Sequence, residues 1–139
     1  MSFFEKDLAL AKKAALEAGE AVMRYFKSTN FEIKDKGVNN PVTTADFEAN
    51  NIIKDILINN DTSFGWLSEE TVDSQERIKK ENVWVVDPID GTKEFIEGVP
   101  HFSISIGMVS KGEPVVGVIY NPAKNELFTA CSGGGSKLN

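Results

Sequence analysis

Apolar positions in the first sixty residues recur at helical spacing, and from residue 64 onward they gather into short runs. Behind Ser2 and Glu5, which together predict a capping box, Leu8, Ala11, Ala15, Ala18 and Val22 fall on one helical face. Lys12, Lys13, Glu17 and Glu20 lie mostly off that face, so the alanine-rich stripe predicts close packing on a neighbour. Phe31 to Thr44 mixes Lys34, Asp35, Lys36, Gly37, Asn39, Asn40 and Pro41 and reads as a mobile loop. A second helix is predicted from near Thr44, with Ala49, Ile52, Ile53, Ile56 and Leu57 on one face and Asn59-Asn60-Asp61 as its stop.

The second half predicts strands. Phe64 to Leu67 and Val83 to Val86 are short apolar runs. Phe102, Ile104, Ile106 and Met108 alternate with Ser103, Ser105 and Gly107, as in a half-buried strand. Lys111-Gly112 turns the chain into Val115 to Tyr120, and Asn121 to Asn125 turns it again into Leu127 to Ala130, a meander of antiparallel strands. No repeat or low-complexity tract precedes Gly133-Gly134-Gly135. The class is therefore α+β, two helices packed on an antiparallel sheet. Val115, Val116, Val118, Ile119 and Tyr120 are apolar on both sides of one strand, which calls for a layer on each face. Two helices can cover only one.

Composition narrows the function. A length of 139 residues suits one domain with enough chain to bury a core. The net charge of −6 argues against a nucleic acid polymer or an anionic membrane as partner. It would also repel a phosphate, unless bound cations reverse the local field. One cysteine, Cys131, excludes an internal disulfide framework. No stretch approaches a membrane span. Glu5, Asp7, Glu17 and Glu20 argue against a transit peptide, and no signal-peptide core is present, so the expected location is cytoplasmic.

The candidate chemistry sits after the apolar run Val83 to Val86, in Asp87-Pro88-Ile89-Asp90-Gly91-Thr92. Pro88 and Gly91 predict a turn, which brings both carboxylates out at a strand end. Two aspartates three apart, stiffened by proline, can hold hard cations. Gly91 lets a ligand approach the backbone, and Thr92 adds a hydroxyl. If Thr92 to Ile96 begins a helix, its free N–H groups favour an anion such as phosphate. Cations and a phosphate are the two parties of metal-assisted phosphoryl chemistry. The competing reading is that Asp-Pro and Asp-Gly are turn residues only.

Two further acids belong with this string. Adjacent glutamates such as Glu69-Glu70 are ordinarily a solvated pair, but these lie between an apolar strand and the aspartate strand. Three or four carboxylates converging without histidine or cysteine select magnesium or manganese over zinc or copper. Asp46 reads on its own as a helix-start acid placed favourably against the dipole. His101 follows Pro100 at a turn and reads as structural rather than catalytic.

Trp84 to Thr92 resembles the signature of the inositol monophosphatase family, the magnesium-dependent, lithium-sensitive phosphatases. That family includes inositol monophosphatases, CysQ-type 3'(2'),5'-bisphosphate nucleotidases and relatives of fructose-1,6-bisphosphatase. Asn40-Pro41-Val42-Thr43-Thr44-Ala45-Asp46 resembles its segment leading into the second helix, and Leu67-Ser68-Glu69-Glu70-Thr71 its paired-glutamate motif. Gly117 to Pro122 and Glu126 to Ala130 resemble the strand pair that follows. The likeness runs in order along nearly the whole chain.

The resemblance implies the N-terminal half of a layered α-β-α-β-α fold, with residues 1–139 as the metal-binding half and the C-terminal half absent. It implies two or three magnesium ions, with manganese as a substitute. Glu69 would be a metal ligand with Glu70 behind it. Asp87 would bridge two ions, the Ile89 carbonyl would complete one, and Asp90 would hold the second. Asp90, Gly91 and Thr92 would receive the phosphate. Asp46 would orient Thr92, and Thr92 with Glu69 would position the attacking water. The implied substrate is a small phosphate monoester.

Leu67-Ser68-Glu69-Glu70, where Ser68 replaces the usual glycine, and Asp90 to Phe95 lean towards the bisphosphate nucleotidases. Pro100 to Ile106 leans towards inositol monophosphatases, so both substrates stay open. Members of the family are about twice this long. Their second half supplies a Trp-Asp motif, and neither Trp66 nor Trp84 is followed by aspartate. The expectation is a truncated chain, a poor catalyst alone, that forms a homodimer or otherwise self-associates through its uncovered sheet face. The alternative is a non-catalytic domain that keeps the fold as a self-associating or partner-binding module.

Overall fold

The alanine stripe forms helix α1 (Glu5–Tyr25), which buries Ala11, Ala14, Ala15, Ala18 and Val22. The computed structural model describes residues 3–28, 30–36, 41–59 and 61–139. Ser2 of the expected capping box therefore lies outside the described residues, as does Asn60 of the second helix's stop signal. Small side chains bring α1 close to the sheet, and the contact is tightest at Gly19. A Cβ there would lie 2.4 Å from Tyr120 Cε2. Helix α2 (Thr44–Leu57) starts where the sequence places it, with Thr43 as N-cap. The Thr43 hydroxyl accepts from the Asp46 amide and the Asp46 carboxylate accepts from the Thr43 amide, a reciprocal capping box.

The segment Phe31 to Thr44 is not simply a loop. It contains β1 (Ile33–Asp35) and β2 (Pro41–Thr43), an antiparallel ribbon that sets Lys34 beside Val42. Strands of three residues are too short to show a two-residue period, so the sequence conceals them. Their order comes from backbone pairing and from Glu32, whose amide donates to Thr44 Oγ1 at 3.0 Å.

Strands β3 (Gly65–Ser68), β4 (Asn82–Asp90), β5 (Ser103–Ser110), β6 (Glu113–Asn121), β7 (Glu126–Cys131) and β8 (Gly135–Leu138) lie side by side in that order. From β4 to β8 the sheet is the expected antiparallel meander. The difference is β3, which runs parallel to β4 with Leu67 beside Val85, so the sheet is mixed. A parallel neighbour needs a crossover rather than a hairpin. Residues 69–81, with a 3₁₀ turn at Glu76–Lys79, supply it. Strand β8 is an addition, its glycine-rich approach giving no strand signal in the sequence.

Both long helices lie on one face of the sheet. Under them Trp84, Val86, Ile104, Ile106, Met108, Val116 and Val118 are buried in one continuous core. The other face carries Val85, Ile119, Phe128 and Leu138, which remain 38%, 42%, 43% and 56% exposed. The single cysteine, Cys131, is buried and free. Among the described residues no helix is long and apolar enough to cross a membrane.

Candidate metal and phosphate site

The aspartate string does not leave the sheet at Pro88, as its composition suggests. Strand β4 continues to Asp90 through a bulge, in which Asp87 pairs with Ser105 and Asp90 with Ser103. Pro88 and Ile89 thus oppose Ile104 alone, and an unpaired bulge position accepts a residue that has no N–H. The bulge buries Ile89 and leaves Asp90 exposed. The turn comes at Gly91, whose φ of 93° suits glycine. A Cβ at Gly91 would also lie 2.7 Å from the His101 carbonyl oxygen. Helix α3 (Thr92–Glu97) follows. At six residues it is too short for its N-terminus to count as an anion site by itself. His101 is at the surface, and its contribution here is that backbone carbonyl.

Glu69, Asp87, Ile89, Asp90, Gly91 and Thr92 all line one depression of about 270 Å³, together with Lys36, Glu70 and Lys93. The sequence-predicted residues are therefore brought together. They do not close into a compact cage: among the described residues no three His, Cys, Asp or Glu side chains are grouped as a metal site. Asp46 stands behind the depression rather than in it. Thr92 Oγ1 lies 2.9 Å from Asp46 Oδ1 and 3.1 Å from the Ile89 carbonyl, and its single proton is shared between these acceptors. The other Asp46 oxygen accepts from the Thr43 amide at 2.9 Å and the Thr43 hydroxyl at 2.5 Å. Asp46 is thus both the helix-start acid and the partner of Thr92. Burial pushes its carboxyl up from the ordinary range, while the bonds from Thr43 and Thr92 pull it back.

Charge is concentrated at Asp87. Burial, followed by the neighbouring Asp90, Glu69, Asp46 and Glu70, pushes its carboxyl up to about 6. Opposite it, Lys36 of the segment after β1 donates to Glu70 Oε1 at 2.7 Å. The other Glu70 oxygen is buried with no partner. An all-oxygen donor set, a carboxylate raised by burial and then by its acidic neighbours, and an orphan acceptor beside them fit a hard divalent cation. Lys36 and Glu70 carry more of this charge arrangement than the sequence reading gives them. Lys36 follows β1 in the segment that reads as a loop, so nothing in its neighbours signals the contact.

The glutamate pair is held from below. Ser68 Oγ donates to Asn50 Oδ1 at 2.5 Å, and Asn50 Nδ2 donates to Thr71 Oγ1 at 3.0 Å. Trp66 Nε1 donates to the same threonine oxygen at 3.1 Å. Asn50 is absent from the sequence reading. Its signal is a polar residue four positions after Asp46, on the face that buries Ala49 and Ile53.

The description "inositol monophosphatase family" belongs to the family model that matches residues 5–139. An inositol-1-monophosphatase of Rhizobium meliloti is 40% identical over 131 residues, 91% of this chain and 48% of the relative. Nus factor SuhB of Haemophilus influenzae is 38% identical over 133 residues, 95% of this chain and 49% of the relative. The crystal structure of CysQ from Bacteroides thetaiotaomicron superposes with a TM-score of 0.82 at 37% identity, covering 99% of this chain and 50% of that one. The chain spans about half the length of the curated relatives it matches.

Proposed function

This chain belongs to the inositol monophosphatase family, and from that premise we propose that residues 1–139 form the N-terminal, metal-binding half of a magnesium-dependent, lithium-sensitive phosphomonoesterase. The substrate is a small phosphate monoester, an inositol monophosphate or a 3'(2'),5'-bisphosphate nucleotide, hydrolysed by water. The observation that carries this reading is the Thr92–Asp46 hydrogen bond at the rim of a carboxylate-lined depression. A cytoplasmic location and self-association through the open sheet face belong to the same proposal.

Glu69, Asp87, Asp90 and the Ile89 carbonyl would hold magnesium, with manganese as a substitute, since all are hard oxygen donors. When bound, the cation supplies positive charge to a phosphoryl group and makes water a better nucleophile. The chain's own residues do the positioning. The Thr92 proton is engaged by Asp46 and the Ile89 carbonyl, so the hydroxyl oxygen is left to accept from a water. Asp46 fixes the Thr92 rotamer from a buried position and acts through it. The Glu69 carboxylate accepts the water's second hydrogen and serves as the base. Gly91 presents bare backbone to the phosphate beside Asp90 and Thr92.

Phosphate release from both substrate types with magnesium tests this reading. In a chain completed with the C-terminal half, Thr92→Ala should lower turnover roughly 10²–10⁴-fold and leave the fold intact. Near-normal turnover removes Thr92 from the mechanism. A second reading, a non-catalytic partner-binding or self-associating module, is favoured by the relative named Nus factor SuhB. Magnesium binding without phosphate release from either substrate, in a chain completed with the C-terminal half, decides for it.

A further inference from the structure

Helix α2 presents two buried polar side chains one turn apart on an otherwise apolar face. Asp46 reaches Thr92, and Asn50, 4% exposed, reaches the opposite side of the depression. Both ends of the Asn50 amide are engaged there. Its oxygen accepts from Ser68 and its nitrogen donates to Thr71, the residues on either side of Glu69 and Glu70. The turn itself is closed by the Thr71 amide to the Ser68 carbonyl at 3.3 Å and by the Glu70 amide to Ser68 Oγ at 3.3 Å. The Glu69 amide ties it to Val86 of β4 at 3.2 Å.

We propose that Asn50 is a positioning residue for the paired glutamates, holding the Ser68–Thr71 turn so that Glu69 and Glu70 face Asp87 and Asp90 across the depression. Packing alone does not account for an asparagine here. An apolar side chain would fill the space between Ala49 and Ile53 without desolvating an amide, and a buried amide is tolerated only when its donor and acceptor both find partners. Those partners sit on the one segment whose orientation decides whether the site has four carboxylates or two. Asp46 and Asn50 thus make α2 a common base for Thr92, at the start of α3, and for the glutamates, in the turn after β3. The consequence for metal binding rests on the magnesium reading above.

The test uses the full chain and Mn²⁺ as probe. In Asn50→Ala without metal, amide exchange at Glu69, Glu70 and Thr71 should accelerate about tenfold relative to the amides of β4. Mn²⁺ affinity, read by electron paramagnetic resonance, should weaken roughly tenfold or more, as for residues that orient metal ligands. Ile53→Val, which thins the same helix face, should lower stability and leave Mn²⁺ affinity unchanged. Thr71→Ser keeps the hydroxyl and should retain affinity, whereas Thr71→Val should lose it. The Thr71 pair keeps the test readable if Asn50→Ala fails to fold. Unchanged exchange at 69–71 in the Asn50 or Thr71→Val variant overturns the proposal, as does an equal loss of affinity in Ile53→Val. Wild-type protein that takes up no Mn²⁺ sinks the magnesium reading, and the metal-free exchange pattern then decides on Asn50 by itself.

Discussion

The two faces of the six-stranded sheet share every backbone atom and differ in almost everything else. Ile106 and Val118 are paired neighbours on β5 and β6, each about 1% exposed beneath the helices. The next residue of β6, Ile119, points the other way and is 42% exposed. Along β4, Trp84 and Val86 belong to the covered face, while Val83, Val85 and Asp87 continue the open one. The core is therefore built on one side, and the first carboxylate of the site is rooted on the other. Leu67, Val85, Asp87 and Ser105 line a second depression, of about 390 Å³, where the open face meets the acids. The lesson is a division of labour. The covered face supplies stability, and the open face carries the first of the site's carboxylates beside exposed apolar side chains.

The largest effect should come from the covered face. Ile106→Ala should lower unfolding free energy by about 2–5 kcal/mol, the loss of a fully buried side chain plus the cavity it leaves. Ile119→Ala, on the adjacent strand, should change it by no more than about 1 kcal/mol, because that side chain is already half in water. Urea denaturation measures both, and similar losses would break the comparison.

Next is the carboxylate rooted on the open face. Magnesium at a hundredfold excess over its dissociation constant should stabilise the folded chain by about 2.7 kcal/mol, seen as a raised unfolding midpoint. Asp87→Asn should abolish the response. The pH dependence carries a definite sign. Asp87 binds its proton more tightly when folded, with its carboxyl raised to about 6 from 3.8. Its contribution is thus most favourable below about pH 4 and is lost as pH rises through about 6. Metal-free protein should show that decline in thermal scans between pH 4 and 7, and both magnesium and Asp87→Asn should flatten it. A midpoint that rises over this range in the wild type and not in the variant contradicts the assignment.

The smallest effect on stability should accompany a change in association. Phe128→Ser lies on the apolar depression of about 440 Å³ that Ile119, Phe128 and Leu138 help to line. It should move folding free energy by only about 0.5 kcal/mol. Sedimentation velocity should show less self-association than the parent chain. An unchanged sedimentation profile, with a parent that associates, would place the contact elsewhere.

By itself the sequence determined the elements with a period or a motif. The α1 stripe, the α2 face, the alternation of β5 and the order of carboxylates from Asp46 to Asp90 are properties of local spacing, and local spacing is what side-chain burial imprints on a chain. The approach of Thr92 to Asp46 also entered the sequence reading, through the family resemblance rather than through spacing. Tertiary structure alone decided the rest. Pro88 stays within β4 because a bulge opposite Ile104 removes the need for its missing N–H. Lys36 meets Glu70 because two three-residue strands fold its segment back. Asn50 reaches Ser68 and Thr71 because α2 packs on β4, the strand that pairs with β3. The last two join residues far apart in the chain through isolated polar contacts. One pair leaves no periodic trace in a sequence, so it becomes visible only when the backbone has brought its members together.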